Sequence, residues 1–284
     1  MSFRSTYKSL LTTSLIVCTI QISNAQNDAS QLGFTALQGQ ANTLVEDGKL
    51  IEAMPLLKEL VQRVEASDNS EIKLDFPLFL IGTGYIQQYV ASGKKNELSE
   101  ALRWYDKLER EFPNSPKIKD MLVKRIDVLR ALSRNDDAIV LMQKILSGAY
   151  RSVRLNLSEQ TKMLKDLTQI YYGTGQLAAG LPYFGQLFEI ARDPEDQALA
   201  AAASFEALFQ AERLDDALNL LPRLAKESAV RYRPRLNVAL LKASDKLVEV
   251  GRVNDAALTL NLIKTTDIMI EWHEGEVASK TAQV

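Results

Sequence analysis

Few side chains in this chain of 284 residues could do chemistry, and most have a plainer use. There is one histidine, His273, within Trp272-His273-Glu274-Gly275-Glu276. A metal site takes three or four converging ligands, and i, i+1, i+3 on a helix spreads ligands around its axis. No metal or cofactor is therefore expected, and a histidine base would have this single candidate. The one cysteine, Cys18, lies within the first 25 residues, so thiolate catalysis and disulfide frameworks are not expected of the rest. Gly82-Thr83-Gly84 and Tyr171-Tyr172-Gly173-Thr174-Gly175 are the nearest approaches to glycine-rich phosphate loops. The first sits inside an apolar helical run and reads as close helix packing; in the second, Gly175 reads as a helix end. Asp136-Asp137 and Asp215-Asp216 each precede an alanine at a helix start, where carboxylates favour the helix dipole. No catalytic residue is assigned.

Arginine beside tyrosine is the more telling pattern. Tyr150-Arg151-Ser152-Val153-Arg154 and Arg231-Tyr232-Arg233-Pro234-Arg235 are basic loops. Guanidinium forks and aromatic faces suit carboxylate, phosphate or peptide recognition. Arg151, Arg154, Arg231, Tyr232, Arg233 and Arg235 are the candidate partner-binding residues. In a repeat array both loops would fall on one edge, two repeats apart. The competing readings are solvated connections between repeats, or arginines that pair with acids on neighbouring helices.

The elements that must position these loops are helical. Leu56, Leu57, Leu60 and Val61 follow a helical stripe, and no stretch alternates with period two. The segments pair as 30–47 with 50–65, 76–91 with 97–111, 115–133 with 136–146, 158–173 with 177–191, 195–212 with 215–226, and 234–250 with 254–264. Pro113-Asn114-Ser115-Pro116 predicts Ser115 as an N-cap and Pro116 at the first helical position. Asp193 is a candidate cap before Pro194, and Ser158 with Gln160 and Thr161 a weaker start. Each second helix carries a small residue where its hairpin is tightest: Ala53, Ala101, Ala138, Gly180, Ala217, Ala256. Four residues on comes a bulky apolar side chain (Leu57, Tyr105, Met142, Phe184, Leu221, Leu260). Three further comes another (Leu60, Leu108, Ile145, Leu187, Leu224, Ile263).

Ala101-Leu102-Arg103-Trp104-Tyr105, Leu108 and Phe112-Pro113 resemble the tetratricopeptide repeat (TPR) family, with Tyr105 in place of the core Phe. The packing residues recur every 37 to 48 positions against a usual ~34, so the helices or turns are longer, and the family's Trp and Leu-Gly signature is mostly missing. The resemblance implies an all-α, right-handed superhelical solenoid of about six antiparallel hairpins over residues 26–266, with 267–284 as a C-terminal capping helix or tail. It also implies a non-catalytic protein–protein interaction scaffold that binds a peptide or partner protein. The phrase from Tyr105 to Pro116 is similar to segments of envelope TPR proteins that serve outer-membrane assembly or the Tol system. The alternative is a carrier holding a small molecule or glycan in the superhelix hollow, lined by Tyr85, Tyr89, Trp104, Tyr171 and Phe184. A third class, a helical-toroid hydrolase, finds no clustered acids or bases.

Residues 1–25 read as a secretory signal peptide: Arg4 and Lys8, an apolar run from Leu10 to Ile22, then Ser23-Asn24-Ala25 before Gln26. A periplasmic or secreted location follows, with no stable membrane insertion after cleavage; Val17 before Cys18 departs from a lipoprotein site. With 34 basic and 36 acidic residues and no single-sign block, nucleic acid is not an expected partner. Loss of Arg4 and Lys8 takes the formal charge from −2 to about −4.

Overall fold

The computed structural model describes residues 32–67, 72–226 and 233–264, and no β-strand occurs among them. The chain divides after Arg154 into two compact units. In the first, α1 (Phe34–Glu46) pairs with α2 (Leu50–Ser67), α3 (Asp75–Ser92) with α4 (Lys95–Glu111), and α5 (Ile118–Ala131) with α6 (Asn135–Leu146). In the second, α7 (Leu157–Thr174) pairs with α8 (Leu177–Ile190). There α9 (Pro194–Gln210) pairs with α10 (Leu214–Leu218), which α11 (Leu221–Lys226) follows, and α12 (Arg233–Glu249) with α13 (Val253–Lys264). Successive hairpins join where α3 lies on α2, α5 on α4 and α9 on α8. The fold is an all-α, TPR-like hairpin array.

All three columns of packing residues are buried in all six hairpins. The fourth hairpin needs glycine rather than alanine, because a Cβ on Gly180 would come within 2.3 Å of the Phe184 ring and 2.9 Å of Tyr171 Cβ. Glycines in α3 serve the same end. A Cβ on Gly82 would meet Tyr105 at 2.4 Å, and one on Gly84 would meet Met54 at 2.5 Å. The Gly82-Thr83-Gly84 cluster is therefore a packing device. Thr83 Oγ1 lies 3.2 Å from Tyr105 Oη, giving that buried phenol a polar partner, while the ring stacks on Phe79. In the second unit α9 packs against α7, α8 and α12 and buries Ala198 and the run Ala200 to Ala203. Side chains this small let several rods share one axis.

The tight turns share one backbone device. Five residues before the packing position, the chain turns left-handed at Gly48, Gly175 and Gly251, with φ of 74° to 78°. Ser133 and Glu212 hold the same place at φ of 60° and 57°, a conformation that costs a side chain with a Cβ. A second regularity follows it. Arg134, Arg213 and Arg252 stand four residues before the packing alanine, and each reaches an aspartate three residues on. Arg134 meets Asp137 at 2.6 Å, Arg213 meets Asp216 at 2.6 Å, and Arg252 meets Asp255 at 2.6 Å. The aspartate thus fills the first helical turn, as expected of Asp137 and Asp216, and also clamps the turn behind it.

Three boundaries differ from the sequence expectation. The second helix of hairpin five, read as one segment over 215–226, is two short helices separated at Asn219 and Leu220. Pro222 has no N–H for the Leu218 carbonyl, and the bonds around it shorten to Leu220 N to Ala217 O and Arg223 N to Leu220 O. Pro55 and Pro182 lie inside α2 and α8, which stay continuous, so proline alone does not dictate the break. Hairpin four starts on Asn156 rather than Ser158. The Asn156 side chain accepts from Glu159 N at 3.0 Å and the Glu159 carboxylate from Asn156 N at 2.9 Å, a complete capping box. Ser115 accepts from Lys117 N at 3.1 Å and donates to Asp75 at 2.6 Å, but the regular helix begins at Ile118, after one further turn. Asp193 caps α9 as expected, accepting from Glu195 N at 2.8 Å with Pro194 first in the helix, and α7 ends at a left-handed Gly175.

Candidate functional site

The first basic loop is held by its tyrosine, which frees its arginines. Tyr150 donates its hydroxyl to Glu109 at 2.9 Å, and Glu109 also takes Arg125 at 2.5 Å, while Arg125 meets Asp106 at 2.6 Å. Burial, and then the carboxylate it donates to, push the Tyr150 phenol up to about 12. Tyr150 thus fixes the loop to α4 and is not offered to a partner. Val153 is buried beside it, and Arg151 and Arg154 project to solvent.

Most arginines whose side chains are described are committed. Arg63, Arg103, Arg110, Arg125, Arg134, Arg213, Arg223 and Arg252 all carry ion pairs. Among the arginines whose side chains are described, Arg151, Arg154 and Arg192 hold no such partner. Arg151 and Arg154 are therefore exposed without an ion pair, as both a solvated connection and a partner-binding loop would have them. Of the other loop, Arg231 and Tyr232 lie outside the described residues, and Arg233 and Arg235 occupy the first turn of α12 with side chains outside the described set. Residues 1–25, with Cys18 among them, and His273 also lie outside the described residues.

Two openings run between successive first helices of the second unit. One, of about 320 Å³, has Phe209, Val238 and Ala239 against Glu206, Gln210 and Lys242, from α9 and α12. The other, of about 500 Å³, lies between α7 and the corner joining α8 to α9, where Ser158, Thr161, Lys162 and Lys165 face Ile190, Arg192, Asp193 and Asp196. The stripe Ser158, Thr161, Lys162, Lys165 is the i, i+3, i+4, i+7 face of a helix, a polar spacing present in the sequence. On the second helices, Leu218, Leu221, Pro222, Leu258 and Leu262 line a larger groove of about 740 Å³.

The aromatics considered for a carrier hollow divide between the units. Tyr171 and Phe184 meet edge to face at 6.4 Å and are fully buried in the second. Tyr85 accepts from Lys58 at 2.8 Å, and Trp104 lies under Lys107 in the first. None of them lines the openings above. No cluster of three or more metal-ligating side chains occurs among the described residues, and no described helix is long and apolar enough to cross a membrane.

No protein-family model matches the chain, and no curated protein matches it. Solved structures do. It is similar to YrrB, "a TPR protein with an unusual peptide-binding site", at 18% identity and a TM-score of 0.45, covering 76% of this chain and 97% of that one. It is similar to a tetratricopeptide repeat protein from Parabacteroides merdae at 14% identity and a TM-score of 0.44, covering 87% and 98%. NprR in complex with its cognate peptide NprX follows at 12% identity and a TM-score of 0.35, covering 99% and 93%. At these scores the repeat assignment rests on the buried packing columns of this chain itself.

Proposed function

We propose that this chain is a non-catalytic interaction scaffold of the bacterial cell envelope that binds a partner protein or extended peptide along its hairpins. The observation that carries it is that Arg151, Arg154 and Arg192 stay unpaired while the other arginines with described side chains are engaged. Repeat arrays present a long row of helix surfaces, so many modest contacts add up without a deep pocket. The grooves between first helices are open and lined by both apolar and charged side chains, which suits a peptide more than a small molecule enclosed on all sides. The envelope location rests on the sequence pattern of residues 1–25.

The test is photo-crosslinking in native envelope fractions, comparing wild type with Arg151→Glu/Arg154→Glu and with Lys242→Glu. A discrete partner crosslinked by wild type and lost in one of these variants is expected. Identical crosslinks in all three would overturn the reading. Sequencing of the mature N-terminus should begin at Gln26; an intact Met1 in the cytosol would remove the envelope from the proposal.

A further inference from the structure

We propose that the opening between α7 and the α8–α9 corner receives the carboxylates of an acidic peptide. This rests on the scaffold reading and names the chemistry of its partner. Three cations line the opening. Lys165 is 2.5 Å from the buried Asp196, so its charge is balanced and its position fixed. Lys162 and Arg192 are exposed and have no carboxylate among the described residues. Asp193, the other acid of the lining, is already accepting from Glu195 N as the α9 cap. Thr161 spends its hydroxyl on Leu157 O at 2.8 Å, which leaves Ser158 as a donor at the mouth. Leu157 on the same rim is 44% exposed, an apolar step beside the charges.

The ligand class follows from this balance. A guanidinium offers a planar fork to a carboxylate and an ammonium a point charge, so Arg192 and Lys162 together suit one or two monoanionic groups. A polyphosphate backbone would bring repeated charge toward Asp193 and a chain of formal charge −2. The apolar rim favours a peptide in which acids alternate with aliphatic residues.

The experiment is fluorescence anisotropy of a labelled Glu-Leu repeat peptide with the full chain, in two forms, free and amidated at the C-terminus. Binding that weakens with added salt and falls about tenfold or more in Lys162→Glu/Arg192→Glu is expected. The matched control Lys94→Glu/Lys95→Glu, on exposed sites of the first unit, should keep the wild-type affinity. Loss on amidation assigns the terminal carboxylate; retention assigns the side chains. An equal loss in the control pair, equal binding of a Gln-Leu peptide, or no binding at all overturns the proposal. Because both substituted residues are exposed, unchanged thermal melts separate lost binding from lost folding. If the envelope crosslinks persist while the peptide fails to bind, the carboxylate cleft falls and the scaffold reading stands.

Discussion

Glu212 and Gly82 stand at opposite ends of the same constraint, the space around a Cβ. At Glu212 the left-handed backbone is strained by a side chain that touches nothing essential, whereas Gly48, Gly175 and Gly251 solve the same turn without that cost. Glu212→Gly should therefore raise stability by about 1 kcal/mol in urea melts. At Gly82 the added methyl has nowhere to go, since Tyr105 is fully buried and wedged against Phe79. Gly82→Ala should cost about 1–3 kcal/mol by the same measurement, although the same change at an exposed helical glycine would stabilise. Tyr150 adds a dependence on pH. Its phenol titrates higher in the folded chain, so the stability it confers is complete below pH 10 and is lost as pH rises toward 12. Tyr150→Phe should flatten that alkaline decline in melts taken from pH 9 to 12.

At the scale of the helix, what could be read depended on whether a feature repeats in sequence or only in space. The packing columns at Ala53 to Ile263 recur at fixed offsets, so the hairpins and their order were legible before any coordinate. The Arg–Asp clasp at Arg134, Arg213 and Arg252 is equally regular in spacing, but the 2.6 Å contacts that make it a clasp form only in the folded turn. Asn156 was overlooked for Ser158, because a hydroxyl and an amide both cap and only the reciprocal bond from Glu159 decides between them. The candidate site was half visible: Arg151 and Arg154 came from their tyrosine neighbour, while Lys162 and Arg192 share one opening only through the approach of α7 to the α8–α9 corner. Caps can be weighed directly. Asn156→Ala should cost about 1 kcal/mol, measured by thermal melt, because it removes the side-chain acceptor of the Glu159 N–H.

For the whole molecule the consequence lies in where the hairpins are unequal. Five of the six second helices are unbroken rods of 12 to 18 residues, while in hairpin five the five residues of α10 stand before a corner. A helix that short has no cooperative reserve of its own and depends on Ala217, Leu221 and Leu224 staying inserted among their neighbours. Amide exchange should therefore run fastest there among the second helices, and slow exchange over 214–220 would contradict it. Within the second unit that corner is a hinge point, where one hairpin can loosen while the buried columns of the hairpins beside it stay closed.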